Sequence, residues 1–169
     1  GLGLQAPLIF RTGLALIGNE GLKSFNSLGW MTDGTSLTDG NNVEAGIDRD
    51  GINGVDAPVT GTGFRVFTYV YNPSPGSPAP GDDPLTAGYQ GGEVTHGFYW
   101  TNEYHDRLYL LGFTEAARNF QNNNFGRGGI QADRVSAEFQ DSSGTNNANF
   151  STPADGGRGR MQMYLFSGP

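Results

Sequence analysis

Residues 93–111 constrain the fold more than any other stretch, because they contain no proline and a single glycine, Gly97. The whole chain of 169 residues has 28 glycines and nine prolines. Since these two residues disfavour a helix interior most, a stretch almost free of them predicts a helix. Gly112 suits the position after a helix end, and Thr114 suits the N-cap of a second helix. We therefore expect helices within residues 93–121.

The segments on either side of these helices favour strands and loops. Residues 31–92 predict a loop-rich β region, with strand-like runs at 41–47 (NNVEAGI) and 64–72 (FRVFTYVYN). Residues 73–84 contain five prolines and predict a surface excursion. Residues 133–166 predict further strands, and the alternation of apolar and polar residues in DRVSAEFQD is typical of a half-buried strand.

These elements predict an α+β fold, in one domain or part of a larger one, with one long helix packed on a mostly antiparallel sheet. Residues 1–30 form an N-terminal segment. Its apolar part, residues 4–17, is expected to be a strand or hairpin packed on a core, with a membrane or partner contact as the alternative. The chain begins with Gly1 rather than methionine, so we expect a signal peptide or pro-segment to have been removed.

Charge and composition exclude several classes of function. The formal net charge of −7 argues against a nucleic-acid partner and against an anionic membrane surface. The chain has no cysteine, which excludes disulfides, thiolate zinc sites and cysteine nucleophiles. No apolar run reaches the roughly 20 residues that a transmembrane helix needs. We expect an extracytoplasmic protein, either secreted or periplasmic.

The two histidines are not expected to bind a metal ion together. His96 and His105 are nine residues apart, which places them on opposite sides of a helix. His96 shares a helix face with Glu103, but a catalytic zinc site has three protein ligands and a water. We therefore expect structural roles for both histidines, and an i,i+4 ion pair between Glu103 and Arg107.

The loop DRDGINGVD, residues 48–56, is a candidate calcium site. Asp48, Asp50, Asn53 and Asp56 place oxygen ligands along a glycine-containing loop, and calcium prefers hard oxygen donors on flexible backbone. The loop is not an EF-hand, since the twelfth position holds a valine. The alternative is an ordinary polar turn whose Asx side chains hydrogen-bond their own backbone.

The order of three motifs resembles the fungalysin family of secreted zinc metallopeptidases. The motifs are LGW…TDGNNVEA, VTHGFYWTNEYHDRLYLLGFTEAARNFQ and NNFGRGGIQADRVSAEFQDSSGTNNANFSTPADGGRGRMQMYLF. The resemblance is loose over residues 28–72 and close over residues 93–166. It implies the β-rich N-terminal lobe of a thermolysin-like (gluzincin) catalytic domain, which carries the edge of the substrate cleft.

The resemblance also implies that the zinc ligands lie outside this chain. The family holds zinc with an H-E-x-x-H helix and a downstream glutamate, and the sequence contains no H-E-x-x-H. We therefore expect no catalytic residue here, no cofactor bound by this chain alone, and zinc only in an enzyme completed by a C-terminal half. The predicted helix at residues 101–121 would then be scaffold beside the active site.

One functional element of the family does match this chain. Thermolysin-like enzymes have an edge strand with an Asn-Asn-Ala-aromatic pattern that binds the substrate backbone, and NNANF at residues 146–150 is similar to it. By this resemblance Asn147 and Ala148 would bind substrate or partner backbone, and Phe150 would stand near the aromatic position. Asn149 replaces an apolar residue of the family. A short polar strand between turns also suits β-addition by its own chemistry.

Two functions from different classes fit these observations. In the first, the chain is the N-terminal part of a fungalysin-like zinc endopeptidase that acts on peptides. In the second, it is a non-catalytic structural or binding subunit of a larger extracytoplasmic assembly, derived from a peptidase half. Both imply another polypeptide as partner, because half of a two-lobed domain exposes apolar surface. A reading frame that continues into H-E-x-x-H would favour the first.

Overall fold

The computed structural model describes residues 30–32, 34–69 and 83–167. The apolar residues 4–17 and most of the excursion at 73–84 lie outside them, so those two expectations stay predictions. The elements are β1 (Val43–Ile47), β2 (Ala57–Pro58), α1 (Ala87–Leu110), a short 3₁₀ helix (Glu115–Ala117), β3 (Val135–Phe139), β4 (Ala148–Ser151) and β5 (Arg160–Met163). No helix in this part of the chain has both the length and the apolar character to cross a bilayer.

The five strands form one mixed sheet in the order β2–β1–β3–β5–β4. β1 pairs in parallel with β3, and β3 pairs in parallel with β5, whereas β2 and β4 are antiparallel to their neighbours at the two edges. The α+β class with one long helix on a sheet is confirmed, but the sheet is not mostly antiparallel. The chain passes from β1 to β3 through α1, and such a crossover brings the second strand back in the same direction.

Helix α1 begins six residues before the predicted start, at Ala87. The first half of α1 contains several glycines, which have a low helix propensity. Two of these glycines lie where the helix packs closely against its neighbours. A Cβ atom on Gly91 would lie 2.5 Å from the ring of Tyr69, and one on Gly97 would lie 1.8 Å from the ring of Phe139. Glycine at these positions therefore lets the helix approach its neighbours closely, which offsets its low helix propensity.

The predicted second helix is much shorter than expected. Thr114 does precede it, as its N-cap residue, but the helix is one 3₁₀ turn. Arg118 follows with φ of 65°, a left-handed conformation that ends the turn. The chain from there to residue 121 is therefore not helical.

The core lies between α1 and the central strands β1 and β3. Val43, Ala45, Val94 and Ala137 are fully buried there, and Phe139 is 5% exposed. Burial of each large apolar side chain contributes about 1.5–3 kcal/mol relative to exposure. These residues therefore fix the position of α1 on the sheet.

Strand β3 is buried on both faces, so its predicted half-buried state is wrong. Ser136 and Glu138 point away from α1 and are 3% and 0% exposed. Arg160 of the neighbouring strand covers Glu138, donating from Nε to Oε1 at 2.9 Å. The two faces of β3 are covered by different means, since α1 packs on one face and the side chain of Arg160 lies over Glu138 on the other.

The predicted strand at 64–72 does not form within its described part, residues 64–69. Gly63 and Val66 close a tight turn by bonding each other's backbone, from Val66 N–H to Gly63 C=O at 3.0 Å. Arg65, inside this turn, has a positive φ of 56°. Its β-branched and aromatic neighbours therefore flank a turn rather than continuing a ladder.

Candidate functional site

Strand β4 lies at one edge of the sheet, where β5 is its only partner among the described strands. All four of its residues are exposed. An unpaired strand edge presents a row of N–H and C=O groups that another extended segment can bind. The edge of β4 is therefore able to accept a further strand.

The pairing with β5 decides which backbone groups of β4 are free. The carbonyl of Asn147 accepts a hydrogen bond from the N–H of Tyr164 at 3.2 Å. In an antiparallel pair, bonded residues alternate with residues whose N–H and C=O point away from the partner. Asn149 therefore also bonds to β5, whereas the backbone groups of Ala148 and Phe150 point to the open edge. The side chain of Asn147 reaches the same edge, where Oδ1 accepts from the N–H of Ala148 at 2.8 Å.

The side chains of β4 alternate between two surroundings. Phe150 points to the α1 side, where its ring centroid lies 5.9 Å from that of Phe120. Gly159 leaves room for this contact, since a Cβ there would come within 2.8 Å of the Phe150 ring. Asn149 lies on the other face and donates to the hydroxyl of Tyr164 at 2.7 Å. Asn149, which replaces an apolar residue of the family, therefore lies on the face opposite the contact between Phe150 and Phe120.

A groove with a cavity volume of about 1030 Å³ opens between α1 and the β4–β5 side of the sheet. Trp100 and Tyr104 are 54% and 65% exposed on the helix side of this groove. The apolar lining also includes Leu108, Phe113, Phe120, Phe150, Met161 and Met163. An apolar surface of this kind marks a place where another element packs.

The two histidines have separate surroundings. His105 lies in a buried polar network, with Nδ1 3.1 Å from Asp106 Oδ1 and Nε2 3.1 Å from Gln121 Oε1. His96 lines the groove instead, and burial lowers its pKa below the ordinary histidine value. The expected ion pair of Glu103 with Arg107 is confirmed at 3.0 Å. Neither histidine belongs to a cluster of three or more metal-ligating side chains within the described residues.

The loop at residues 48–56 brings three of its four predicted ligands together. Carboxylate oxygens of Asp48, Asp50 and Asp56 lie within 4.8 Å of one another. Asn53 points elsewhere, and its Oδ1 accepts from Arg160 Nη2 at 3.0 Å. The alternative expectation of a polar turn is also met in part, since Asp50 Oδ1 accepts from the N–H of Ile52 at 2.7 Å. The calcium site stays a prediction, with Asn53 removed from the geometric group.

Two further carboxylates join Asp48 from a distant part of the chain. Asp48, Glu138 and Asp141 are 2%, 0% and 2% exposed, and their oxygens lie within 4.8 Å of one another. Burial raises the pKa of Asp48 to about 7, and the neighbouring carboxylates of Asp141, Glu138 and Asp56 add to the effect. Sequence reasoning missed Glu138 and Asp141, because strand alternation placed Glu138 on a solvated face.

The chain is similar to known secreted metallopeptidases over most of its length. Residues 10–169 match the model of a family described as fungalysin metallopeptidase. The chain is 42% identical over 149 residues to the extracellular metalloproteinase MEP of Pyricularia oryzae, covering 86% of this chain and 22% of that protein. It is 43% identical over 142 residues to the protein of the same name from Fusarium vanettenii, covering 82% and 21%.

A third relative is the extracellular metalloproteinase 4 of Trichophyton soudanense, which is 39% identical over 150 residues, covering 83% of this chain and 35% of that protein. The chain therefore spans about a fifth to a third of the length of these curated relatives.

Proposed function

Because the chain belongs to the fungalysin family of metallopeptidases, we propose that it is the N-terminal portion of an extracytoplasmic zinc endopeptidase. In this proposal β4 binds the backbone of the peptide substrate. The observation that carries it is the open edge of β4, where the backbone groups of Ala148 and Phe150 point away from β5. The names of the relatives, which are extracellular metalloproteinases, support a location outside the cytoplasm.

The residues of this chain do not fit a catalytic zinc ion. Zinc at a catalytic site takes three histidine or carboxylate ligands and a water, whereas His105 is engaged in the buried network and His96 lies in the groove. The sequence has no H-E-x-x-H. In the completed enzyme the zinc and its chemistry therefore belong to residues outside this chain, which on its own is proposed to be non-catalytic.

The proposed contribution of β4 is to hold an extended peptide in one register. A peptide lying along the edge would bond to the backbone of Phe150 and to the carbonyl of Ala148, and each bond contributes about 0.5–1.5 kcal/mol. It would also replace Asn147 Oδ1 as the acceptor for the N–H of Ala148. The carboxamide of Asn147 already reaches this edge and offers one more polar group. The ring of Phe150 would contact those side chains of the peptide that point toward the groove. Such pairing recognises any extended backbone, which suits an endopeptidase.

The groove supports the proposal of a second polypeptide segment as partner. Trp100 and Tyr104 are largely exposed beside the sheet residues Met161 and Met163. The missing part of the peptidase would cover them in the completed enzyme. In the alternative function, a non-catalytic subunit of a larger assembly, a partner protein would cover the same surface. A natural reading frame that stops close to Pro169 without H-E-x-x-H would favour this alternative.

The test uses the full-length enzyme and two proline substitutions in β4. Ala148→Pro deletes an N–H at the open edge, which donates to Asn147 Oδ1 in the absence of a peptide. It removes no hydrogen bond of the ladder to β5, and proline is tolerated at the edge and start of strands. We expect kcat/KM on a peptide substrate to fall about tenfold, equal to one lost hydrogen bond of about 1.4 kcal/mol, with little change in Tm.

Asn149→Pro is the matched control, because it deletes an N–H that bonds to β5. It should lower the Tm clearly, since a ladder hydrogen bond is lost. An Ala148→Pro enzyme with unchanged kcat/KM would show that the substrate does not pair with this edge.

Calcium is the second part of the proposal. Asp48, Asp50 and Asp56 converge on one loop, and carboxylate oxygens on a flexible loop are ligands that calcium prefers. In this proposal calcium orders the loop at residues 48–56 and stabilises the fold.

A further inference from the structure

Two groups of carboxylates share one residue, Asp48. In the first group Asp48 stands with Asp50 and Asp56 of the same loop, and in the second it stands with Glu138 and Asp141. The first group is open to solvent at Asp50 and Asp56, whereas all three members of the second are buried. Asp48 therefore lies where an exposed loop meets the interior of the sheet.

Two members of the buried group accept hydrogen bonds from nearby donors. Glu138 accepts from Arg160 through both carboxylate oxygens. Asp141 accepts from the N–H of Ser143 at 2.7 Å and from the amide of Gln162. Charge-assisted bonds of this kind favour the ionised carboxylate. These two side chains are therefore oriented before any ligand arrives.

Asp48 is different, because it is 2% exposed and no N–H or O–H donor among the described residues reaches its carboxylate. Its side-chain contact is Glu138, a second carboxyl group. Two ionised carboxylates are both acceptors and cannot satisfy each other. A buried carboxylate without a donor is strongly unfavourable unless a cation or a proton pairs with it.

The charges of the buried group also leave room for a cation. Asp48, Glu138 and Asp141 bring three negative charges when all of them are ionised, and among the described residues Arg160 is the guanidinium paired with them, through Glu138. Three minus one leaves two negative charges. Arg49, the neighbour of Asp48, directs its guanidinium to the carbonyl of Gln140 at 3.1 Å. A single divalent cation would balance the remaining charge.

We propose that Asp48, Glu138 and Asp141 form the core of a calcium site, which Asp50 and Asp56 close from the solvent side. This inference rests on the calcium role proposed for the loop, and it moves the centre of the site from the loop surface to the sheet. All donors are carboxylate oxygens, which suits a hard cation of flexible coordination rather than zinc or copper. The cation would fasten the loop to the turn after β3.

The experiment measures calcium binding by calorimetry and Tm in the metal-free 169-residue chain and in isosteric variants. Asp141→Asn and Asp48→Asn remove one buried ligand charge each, and affinity of calcium sites follows ligand charge. We expect each to weaken calcium binding about tenfold or more and to lose most of the calcium-dependent rise in Tm. Asp50→Asn, at the exposed end, should change the affinity only a few-fold.

Asp83→Asn is the control, since it removes an exposed carboxylate that, among the described residues, accepts a hydrogen bond from the backbone N–H of Leu85. It should bind calcium like the unchanged chain. Loss of binding in Asp50→Asn with full binding in Asp141→Asn would place the ion on the loop alone and overturn the buried site. No calcium effect in the unchanged chain would overturn both and indicate a proton shared by Asp48 and Glu138. Neither outcome bears on the peptidase proposal, which depends on β4.

Discussion

Gly97 is a residue at which the helix packs closely against the sheet. A Cβ at this position would lie 1.8 Å from the Phe139 ring, far inside van der Waals contact. Phe139 is itself 5% exposed and surrounded by the core, so it has little space in which to move. Gly88, in the first turn of the same helix, has no atom within 4 Å of a Cβ placed on it. A methyl group added at Gly97 would therefore collide with the core, whereas one added at Gly88 would lie in open space.

We expect Gly97→Ala to lower the free energy of unfolding by about 1–3 kcal/mol, because overpacking outweighs the gain in helix propensity. Gly88→Ala adds a methyl group to open space and should raise the same free energy by up to about 0.5–1 kcal/mol. Urea unfolding followed by circular dichroism measures both. Equal effects of the two substitutions would show that α1 does not pack on Phe139 as closely as described.

At the scale of elements, β3 and β4 have opposite surroundings within one sheet. β3 has a neighbour on each side and all five residues buried. β4 pairs with β5 alone and has all four residues exposed. Protection of an amide against hydrogen exchange follows its hydrogen bonding and the stability of its surroundings. The two strands should therefore differ in both the level and the pattern of protection.

We expect the amides of β3 to be the most protected of the sheet, and those of β4 to alternate. The N–H of Asn149 bonds to β5 and should exchange slowly, whereas the N–H of Phe150 points to the open edge and should exchange fast. Residue-resolved hydrogen exchange by NMR measures this in the isolated chain. Protection of Phe150 equal to that of Ala137 would mean that the edge is already occupied and cannot accept a peptide.

The same elements show what the sequence could and could not predict. The alternation of Val135, Ala137 and Phe139 located β3 correctly, because side-chain period is a local property. The burial of Glu138 was missed, since Arg160 covers it from a strand 22 residues further along. Strand direction in the sheet was missed for a similar reason, as it depends on how the chain crosses over α1.

The candidate site divides in the same way. Spacing along one loop was enough to bring Asp48, Asp50 and Asp56 together as a prediction. Glu138 and Asp141 join them only through the pairing of β1 with β3, which no local pattern reveals. Asn53 was included on the basis of its spacing, but its side chain is taken by Arg160.

At the scale of the whole molecule, the two sides of the sheet have different chemistry. The side opposite α1 is polar, with Arg134 and Arg158 both paired to Glu44. The α1 side is apolar, and it is filled by the helix near β1 and β3 but open along β4 and β5. Apolar surface exposed in such a groove favours association with another apolar surface.

On the function proposed above, we expect Trp100→Lys to prevent assembly of this chain with the second part of the proposed peptidase, because a charge would be buried in the groove. The isolated chain should keep its stability, within about 0.5 kcal/mol, since the side chain of Trp100 is 54% exposed. Co-purification of the two parts, expressed as separate chains, measures assembly. Phe64→Lys replaces an aromatic residue that is 70% exposed outside the groove and should assemble normally. Normal assembly of Trp100→Lys would remove the groove from the proposed interface.

The crossover between β1 and β3 has a consequence for the order in which the molecule is made. Val43 pairs with Val135, so the two are separated by 135 − 43 = 92 residues of chain. Contacts between residues so far apart close large loops and form slowly, whereas a helix or an antiparallel pair such as β4–β5 forms from nearby residues. During synthesis β1 must therefore wait for most of the chain to leave the ribosome before its partner is available. A nascent chain at that stage exposes the edge of β1 that later pairs with β3, and an exposed strand edge is a place where chaperones bind and misfolding begins.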